Sequence, residues 1–324
     1  DILNAYFSTI GEKLAMDFPF HIGNKNEFIK RVTPTKMNID LSLGSISKIV
    51  EKIKANKACG PDSVAPKLIK KAGDTIIPSL MPIYLNSIAY NAVPQKWKFA
   101  NVAALYKKED EADKQNYRPI SLLCVPGKIM ESCVVSSIST HVVENELAHR
   151  NQWAYKQGHS TEMLLIKMTE DWRKALDNNL VVGIVLVDFR KAFDSISHDV
   201  LMLKLQGLGI SGDLWSWILD YLSNRSQVTV VNGTKSEAMP IKFGVPQGSV
   251  LGPTLFSLFC NDLPDVAEND GIIHMFADDT TMYAIGPSVD SVTISLNNML
   301  GRLYDWCCCN CLTPHPGKYR KLCF

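Results

Sequence analysis

The stretch I-I-H-M-F-A-D-D-T-T-M-Y-A, Ile272 to Ala284, runs apolar and β-prone residues up to a pair of acids and away again. That pattern predicts a β-hairpin with Asp278 and Asp279 at its tip. Neighbours on an extended strand face opposite ways, but a tight turn can bring both carboxylates toward one point. Carboxylates held that close repel each other, and a raised pKa or a bound cation relieves them. Taken alone, an Asp-Asp turn is first of all a local hydrogen-bonding device. What surrounds it reverses that reading.

Upstream, V-V-G-I-V-L-V from Val181 to Val187 is the most apolar strand candidate, of the kind buried on both faces. At its end stands Asp188, a group whose burial needs a partner. Between strand and hairpin, G-V-P-Q-G-S-V-L-G-P (Gly244 to Pro253) reads as a loop opening a helix through Phe259. Before it, Gln227 to Val231, Asn232-Gly233 and Ser236 to Lys242 predict a second hairpin. After the acid pair, Ser288 caps a helix carrying Val292, Leu296, Met299, Leu303 and Trp306 on one face. Nearer the start, Ile2 to Leu14 and a segment capped by Ser45 (Ile46, Ile49, Val50, Ile53) have helical spacing. Val64 to Tyr90 reads as helix interrupted at Pro78, Asn101 to Tyr106 as strand, and Glu131 to Ala148 and Met163 to Leu176 as helices. Lys318 to Phe324 reads as the start of a final strand.

The 324 residues, 46% apolar and 21% charged, suit a globular protein with room for two subdomains. No apolar run is long enough to span a bilayer and no signal peptide is evident, which places the chain inside the cell. It begins at Asp1 rather than Met, which suggests a piece of something longer. The net charge of +1 hides segregation: Lys48 to Lys71 carries a balance of +5, and Asp262 to Asp305 one of −7. A basic face suits a phosphate backbone and an acidic centre suits divalent cations. Cys307, Cys308, Cys309 and Cys311 lack the paired spacing of a zinc site and read as reduced thiols.

Six blocks stand in order: K-A-C-G-P-D (Lys57 to Asp62), N-Y-R-P-I-S-L-L (Asn116 to Leu123), V-L-V-D-F-R-K-A-F-D (Val185 to Asp194), G-V-P-Q-G-S-V-L-G-P, F-A-D-D and L-T-P-H-P-G-K (Leu312 to Lys318). Together they resemble the reverse transcriptase domain of non-LTR (LINE-type) retrotransposons. The resemblance implies an α+β right-hand polymerase of fingers and palm, the palm being antiparallel strands backed by helices, with the thumb absent. Residues 1–45 would be an extension or linker, 46–180 mainly fingers with the first palm helices, and 181–324 palm. A second fingers segment would fall at about 195–243.

The implied activity is RNA-directed DNA synthesis from deoxynucleoside triphosphates on an RNA template and DNA primer, in the cytoplasm and nucleus, without a membrane. In-line displacement at the α-phosphate is served by two Mg²⁺ ions, with Mn²⁺ as a substitute. Magnesium takes one or two carboxylates plus water and substrate phosphates. The resemblance makes Asp188, Asp278 and Asp279 catalytic and metal-binding, with Asp279 the weaker ligand. Asp194 is read as a helix-capping acid instead. Phe193 would pack under the incoming sugar and exclude a 2′-hydroxyl, and Phe189 joins the nucleotide-binding set. Arg118 and Lys107 would hold the triphosphate, with Lys108 the competing choice for the latter. Gln247 and Gly248 would touch the nascent base pair, and Lys318 would protonate the leaving pyrophosphate. The alternative is a catalytically inactive relative serving as a nucleic-acid-binding scaffold. The intact acids, Arg118 and Phe193 speak against it.

Overall fold

The computed structural model describes residues 1–16, 32–35, 37–315 and, by backbone, 320–323. The helices are α1 (Ile2–Met16), α2 (Leu43–Glu51), α3 (Pro66–Ala72), α4 (Ile77–Ala89), α5 (Val125–Glu144), α6 (Thr161–Asp177), α7 (His198–Gly207), α8 (Gly212–Leu222), α9 (Leu251–Phe259) and α10 (Val289–Asn310). The strands are β1 (Phe99–Tyr106), β2 (Tyr117–Leu122), β3 (Val181–Val187), β4 (Arg225–Val231), β5 (Thr234–Lys235), β6 (Met239–Ile241), β7 (Ile272–Phe276), β8 (Asp279–Gly286) and β9 (Arg320–Cys323).

They form two sheets. One runs β7-β8-β3-β9, antiparallel throughout. The other runs β2-β1-β4-β5, with β6 also on β4; only its β1–β4 pair is parallel. The chain is thus a mixed helix-and-sheet fold with mostly antiparallel strands. No helix among the described residues is long and apolar enough to cross a membrane.

The apolar run of β3 makes it central, because both its faces are covered. On one side Val182, Ile184 and Tyr283 pack with Leu164 and Met168 of α6. On the other, Val185, Val187, Ile273 and Met282 join one core with α5, α7, α8, α9 and α10. Gly183 is required here: a Cβ would lie 2.4 Å from Val292 and 2.9 Å from Leu296 of α10. Helix α1 covers the five-stranded sheet, where Phe7 packs with Ala100, Val102 and Leu123. Its Asn4 donates to the carbonyls of Gln227 (3.3 Å) and Glu237 (2.8 Å).

Several boundaries differ from those the sequence suggests. The cap of α2 is Ser42, whose hydroxyl accepts from Ser45 N, so Ser45 lies inside the first turn. The break between α3 and α4 falls at Gly73 (φ 53°), while Pro78 sits harmlessly in the first turn of α4, where no amide hydrogen is needed. Helix α5 begins at Val125, six residues before Glu131. The second hairpin returns as two short strands, β5 and β6. Ser288 does cap α10, with Ser291 completing a capping box.

Candidate active site

The hairpin of β7 and β8 closes through Phe276 paired with Asp279, leaving Ala277 and Asp278 as a two-residue loop. Ala277 has φ 57°, the positive value such loops demand at a first position usually given to glycine. Strand β3 pairs with β8 up to Val187–Thr280, so one step further Asp188 stands across from Asp279. Asp188 and Asp278 are half-buried and Asp279 is exposed. The end of β3 is fixed by the L-T-P-H block: His315 N donates to Asp188 O at 2.7 Å and Arg190 N to Thr313 O at 2.8 Å. Lys318, at the end of that block, lies outside the described residues.

Among the described residues no three His, Cys, Asp or Glu side chains form a ready metal cage. The donor chemistry nevertheless suits a hard divalent cation, since half-buried carboxylates on adjoining strands are what magnesium combines with substrate phosphates.

Beside the acids lies a cationic corner. Lys191 Nζ, on a left-handed residue of φ 49°, donates to the Tyr117 carbonyl at 3.0 Å and reaches the Gln115 carbonyl at 3.4 Å. Burial lowers its pKa, Asp194 opposes that, and Lys107 and Arg118 lower it further. Three cations therefore share one corner, where an incoming polyanion would relieve their repulsion. Arg118 lies exposed on β2 opposite Leu105. Lys108 is exposed and lies 3.8 Å from the Glu109 carboxylate. Sequence reading passed over Lys191; its clue was the R-K pair inside the Asp188 block.

Phe193 is half-buried and stacks on the fully buried Phe256, ring centroids 4.4 Å apart at 17°. Its carbonyl accepts from Val245 N at 2.9 Å, tying it to the G-V-P-Q-G loop. The Phe189 side chain is 3% exposed and packs on Trp306, so it can meet a nucleotide only through its main chain. Gln247 O accepts from Ser121 N at 2.7 Å, joining the loop to β2. Gly248 has φ 123°, and a Cβ there would lie 2.5 Å from Ser121 O. Gly248→Ala is therefore expected to cost about 2–4 kcal/mol of stability, read as a lowered urea midpoint; an unchanged midpoint would show that the loop yields.

Asp194 does not cap a helix. It accepts from Gln247 Nε2 at 2.8 Å through Oδ1, and its other oxygen is buried without a hydrogen-bond partner. Burial pushes its pKa up to about 6, against the Gln247 hydrogen bond and the pull of Lys191, Arg118 and Lys107. Below about pH 4 the carboxyl is protonated folded or unfolded. Between that and pH 6 only the folded form keeps its proton, so stability falls as pH rises and levels off above. The loss should be on the order of 2 kcal/mol. Asp194→Asn, which keeps an acceptor for Gln247, should flatten that slope in urea unfolding at pH 4.5 and 7.5. A slope unchanged by the substitution would assign the pH dependence elsewhere.

Glu131 also escaped the sequence reading. It is 4% exposed and accepts from Val250 N (2.6 Å), Leu251 N (3.1 Å) and Tyr221 OH (3.2 Å), holding the start of α9. Its partners lie 90 to 120 residues away, so no local pattern marks it.

Residues 106–321 match the family described as "Reverse transcriptase (RNA-dependent DNA polymerase)". The chain belongs to that family. It is 30% identical over 284 residues to the RNA-directed DNA polymerase from mobile element jockey of Drosophila melanogaster, covering 85% of this chain and 31% of that protein. Against the probable RNA-directed DNA polymerase from transposon BS of the same fly it is 29% identical over 302 residues, covering 90% and 33%. The chain spans about a third of the length of these curated relatives.

Proposed function

We propose that this chain is an RNA-directed DNA polymerase that extends a DNA primer on an RNA template, as part of retrotransposition. One arrangement carries the reading: two acidic strand ends, Asp188 and Asp278-Asp279, meet beside a corner of Lys107, Arg118 and Lys191. Phe193 packs on the buried Phe256, and Gln247 donates to Asp194 of the Asp188 block. The four-stranded sheet with its helices would be the palm, over 181–324. The five-stranded sheet would belong to fingers drawn from 46–180 and about 195–243, with 1–45 as an extension. Cytoplasm and nucleus are the compartments this reading requires.

Asp188 and Asp278 would hold two magnesium ions, with manganese as substitute and Asp279 as an outer ligand. Such ions lower the barrier by neutralising charge on the attacking and leaving oxygens. The chain's own residues do the rest. Arg118 offers a planar fork of donors to the triphosphate and Lys107 a point charge. Lys191 adds to their field while anchored to β2. Phe193, backed by Phe256, limits the sugar's 2′ position. Gln247, oriented by Asp194, and Gly248 let the backbone approach the new base pair.

A primer-extension assay on RNA and DNA templates, with and without Mg²⁺, tests the reading. The expected result is template-directed addition of deoxynucleotides on RNA that stops when the cation is chelated. Binding of primer–template with no addition under any condition would favour the inactive scaffold.

A further inference from the structure

Helix α1 covers the five-stranded sheet, but its buried face does not account for the residue at position 6. Asn4, Phe7, Gly11 and Leu14 recur at helical spacing and are buried. The side-chain carbonyl of Asn4 accepts from Gln227 Nε2 and Thr229 Oγ1, both at 3.1 Å. Gly11 lies so close to the turn after β3 that a Cβ would collide with the Asp194 carbonyl. Leu14 O accepts from Thr313 Oγ1 at 3.3 Å, within the block that pins the end of β3. With the helix fixed by these contacts, half-buried Tyr6 is carried on its flank to the cationic corner.

Two lysines meet its ring. Lys191 Nζ lies 5.4 Å from the ring centroid and Lys114 Nζ 5.7 Å, both within reach of a cation–π attraction. Lys114 stands just before β2 and Lys191 just after β3, so one ring spans the joint between the two sheets. Lys191 is itself a link across that joint, because its acceptors are the carbonyls of Gln115 and Tyr117. Arg118 follows Tyr117 directly, and Lys107 follows Tyr106, the strand partner of Tyr117. Lys107 N also donates to Asn116 O at 2.9 Å. The three cations are therefore joined through one short piece of main chain.

An ammonium carries three hydrogens. Among the described residues, two of those on Lys191 meet carbonyls, and the third is left for an anion. A lysine side chain is long and flexible, and a carboxylate that held it would cancel its charge. The face of an aromatic ring attracts the cation and leaves the charge in place. Leucine would fill the space beside Phe7 but offer no such face.

We propose that Tyr6 is a positioning residue for phosphate binding: its ring, carried on α1, holds Lys191 at the joint of the two sheets with its charge intact and one hydrogen left for a phosphate oxygen. Under the polymerase reading, on which this rests, the phosphate belongs to the deoxynucleoside triphosphate or to the backbone of the primer–template.

The test is a double-mutant cycle. Deoxynucleotide KM and kcat in single-nucleotide extension, primer–template Kd by fluorescence anisotropy, and melting temperature are measured. The proteins are the unaltered chain, Tyr6→Leu, Tyr6→Phe, Lys191→Met and the double variant. Tyr6→Leu keeps apolar packing but loses the ring face, so it should raise at least one of KM and Kd by about 3–10-fold. Its kcat and melting temperature should hold. Tyr6→Phe keeps the face and should stay within about twofold of the unaltered chain. In the Lys191→Met background, Tyr6→Leu should add less than about twofold. A rise in the deoxynucleotide KM identifies the triphosphate, and one in the primer–template Kd the strand backbone; either upholds the proposal. It is overturned if Tyr6→Leu leaves both constants unchanged, if Tyr6→Phe loses as much as Tyr6→Leu, or if Tyr6→Leu costs as much in the Lys191→Met background. A lowered melting temperature with kcat and both constants worsening together would make Tyr6 plain packing and overturn it too. If the unaltered chain does not extend at all, the polymerase reading fails first. The same cycle is then read in the Kd for primer–template and for a fluorescent deoxynucleotide, with the same outcomes deciding; a chain that binds neither overturns both.

Discussion

Asp188→Asn is expected to lower primer extension by about 10³-fold or more, since metal-borne charge stabilisation is worth several kcal/mol. The fold should survive. Asp188 ends β3 through main-chain bonds, its carbonyl accepting from His315 N at 2.7 Å, and Asn keeps the same backbone. Removing one carboxylate beside Asp278 and Asp279 also relieves like-charge repulsion, so the melting temperature should hold or rise slightly. Single-turnover extension on an RNA template, with a melting curve on the same preparation, reads both effects. A variant that extends at the unaltered rate would remove Asp188 from the reaction.

Phe193→Val should open the sugar site. The ring of Phe193 lies 4.4 Å from the buried ring of Phe256, and its carbonyl is tied to Val245 N, so neither ring nor backbone can retreat from an added hydroxyl. Forcing a hydroxyl against such a ring costs about 1–3 kcal/mol, or roughly 10–100-fold in relative kcat/KM. Ribonucleotide use by Phe193→Val should rise by that factor relative to deoxynucleotide use. Both activities falling together, with their ratio unchanged, would reduce Phe193 to a packing residue. The comparison must use the ratio, because removing the ring also strips a partner from Phe256 and lowers stability.

What was legible in the sequence was local. The run Val181 to Val187 is the strand as bounded, since an uninterrupted apolar stretch has one period and one place to go. Ser288 was readable as a cap because the polar-to-helical change occurs there once. At α2 two serines, Ser42 and Ser45, satisfy the same rule one turn apart, and only backbone geometry separates them: Ser42 has the extended φ of −61° and ψ of 150°. The acid hairpin was readable for the same reason as β3. Its meeting with Asp188 came from resemblance, since strand pairing over ninety residues leaves no trace in either segment alone. Glu131, Asp194 and Lys191 show the limit. Each looks like an ordinary charged residue within its own helix or turn, and each acts through a loop or strand distant in sequence.

The placement of β3 bears on how the chain is made. Its two neighbours in the sheet, β8 and β9, are both encoded after it, the nearer ending at Gly286 and the farther at Cys323. A ribosome adding about 5–20 residues per second therefore leaves V-V-G-I-V-L-V without either partner for roughly 5–20 s before β8 has emerged. During that interval the most apolar strand of the molecule is an open edge of the kind that pairs with other chains. Helix α6, finished just before β3, is already made, and through Leu164 and Met168 it can shield one face of the nascent strand. The other face shares a core with α5, also already made, and with α7, α8, α9 and α10, which follow, so until those helices arrive the nascent strand depends on whatever holds unfolded chains apart in the cell.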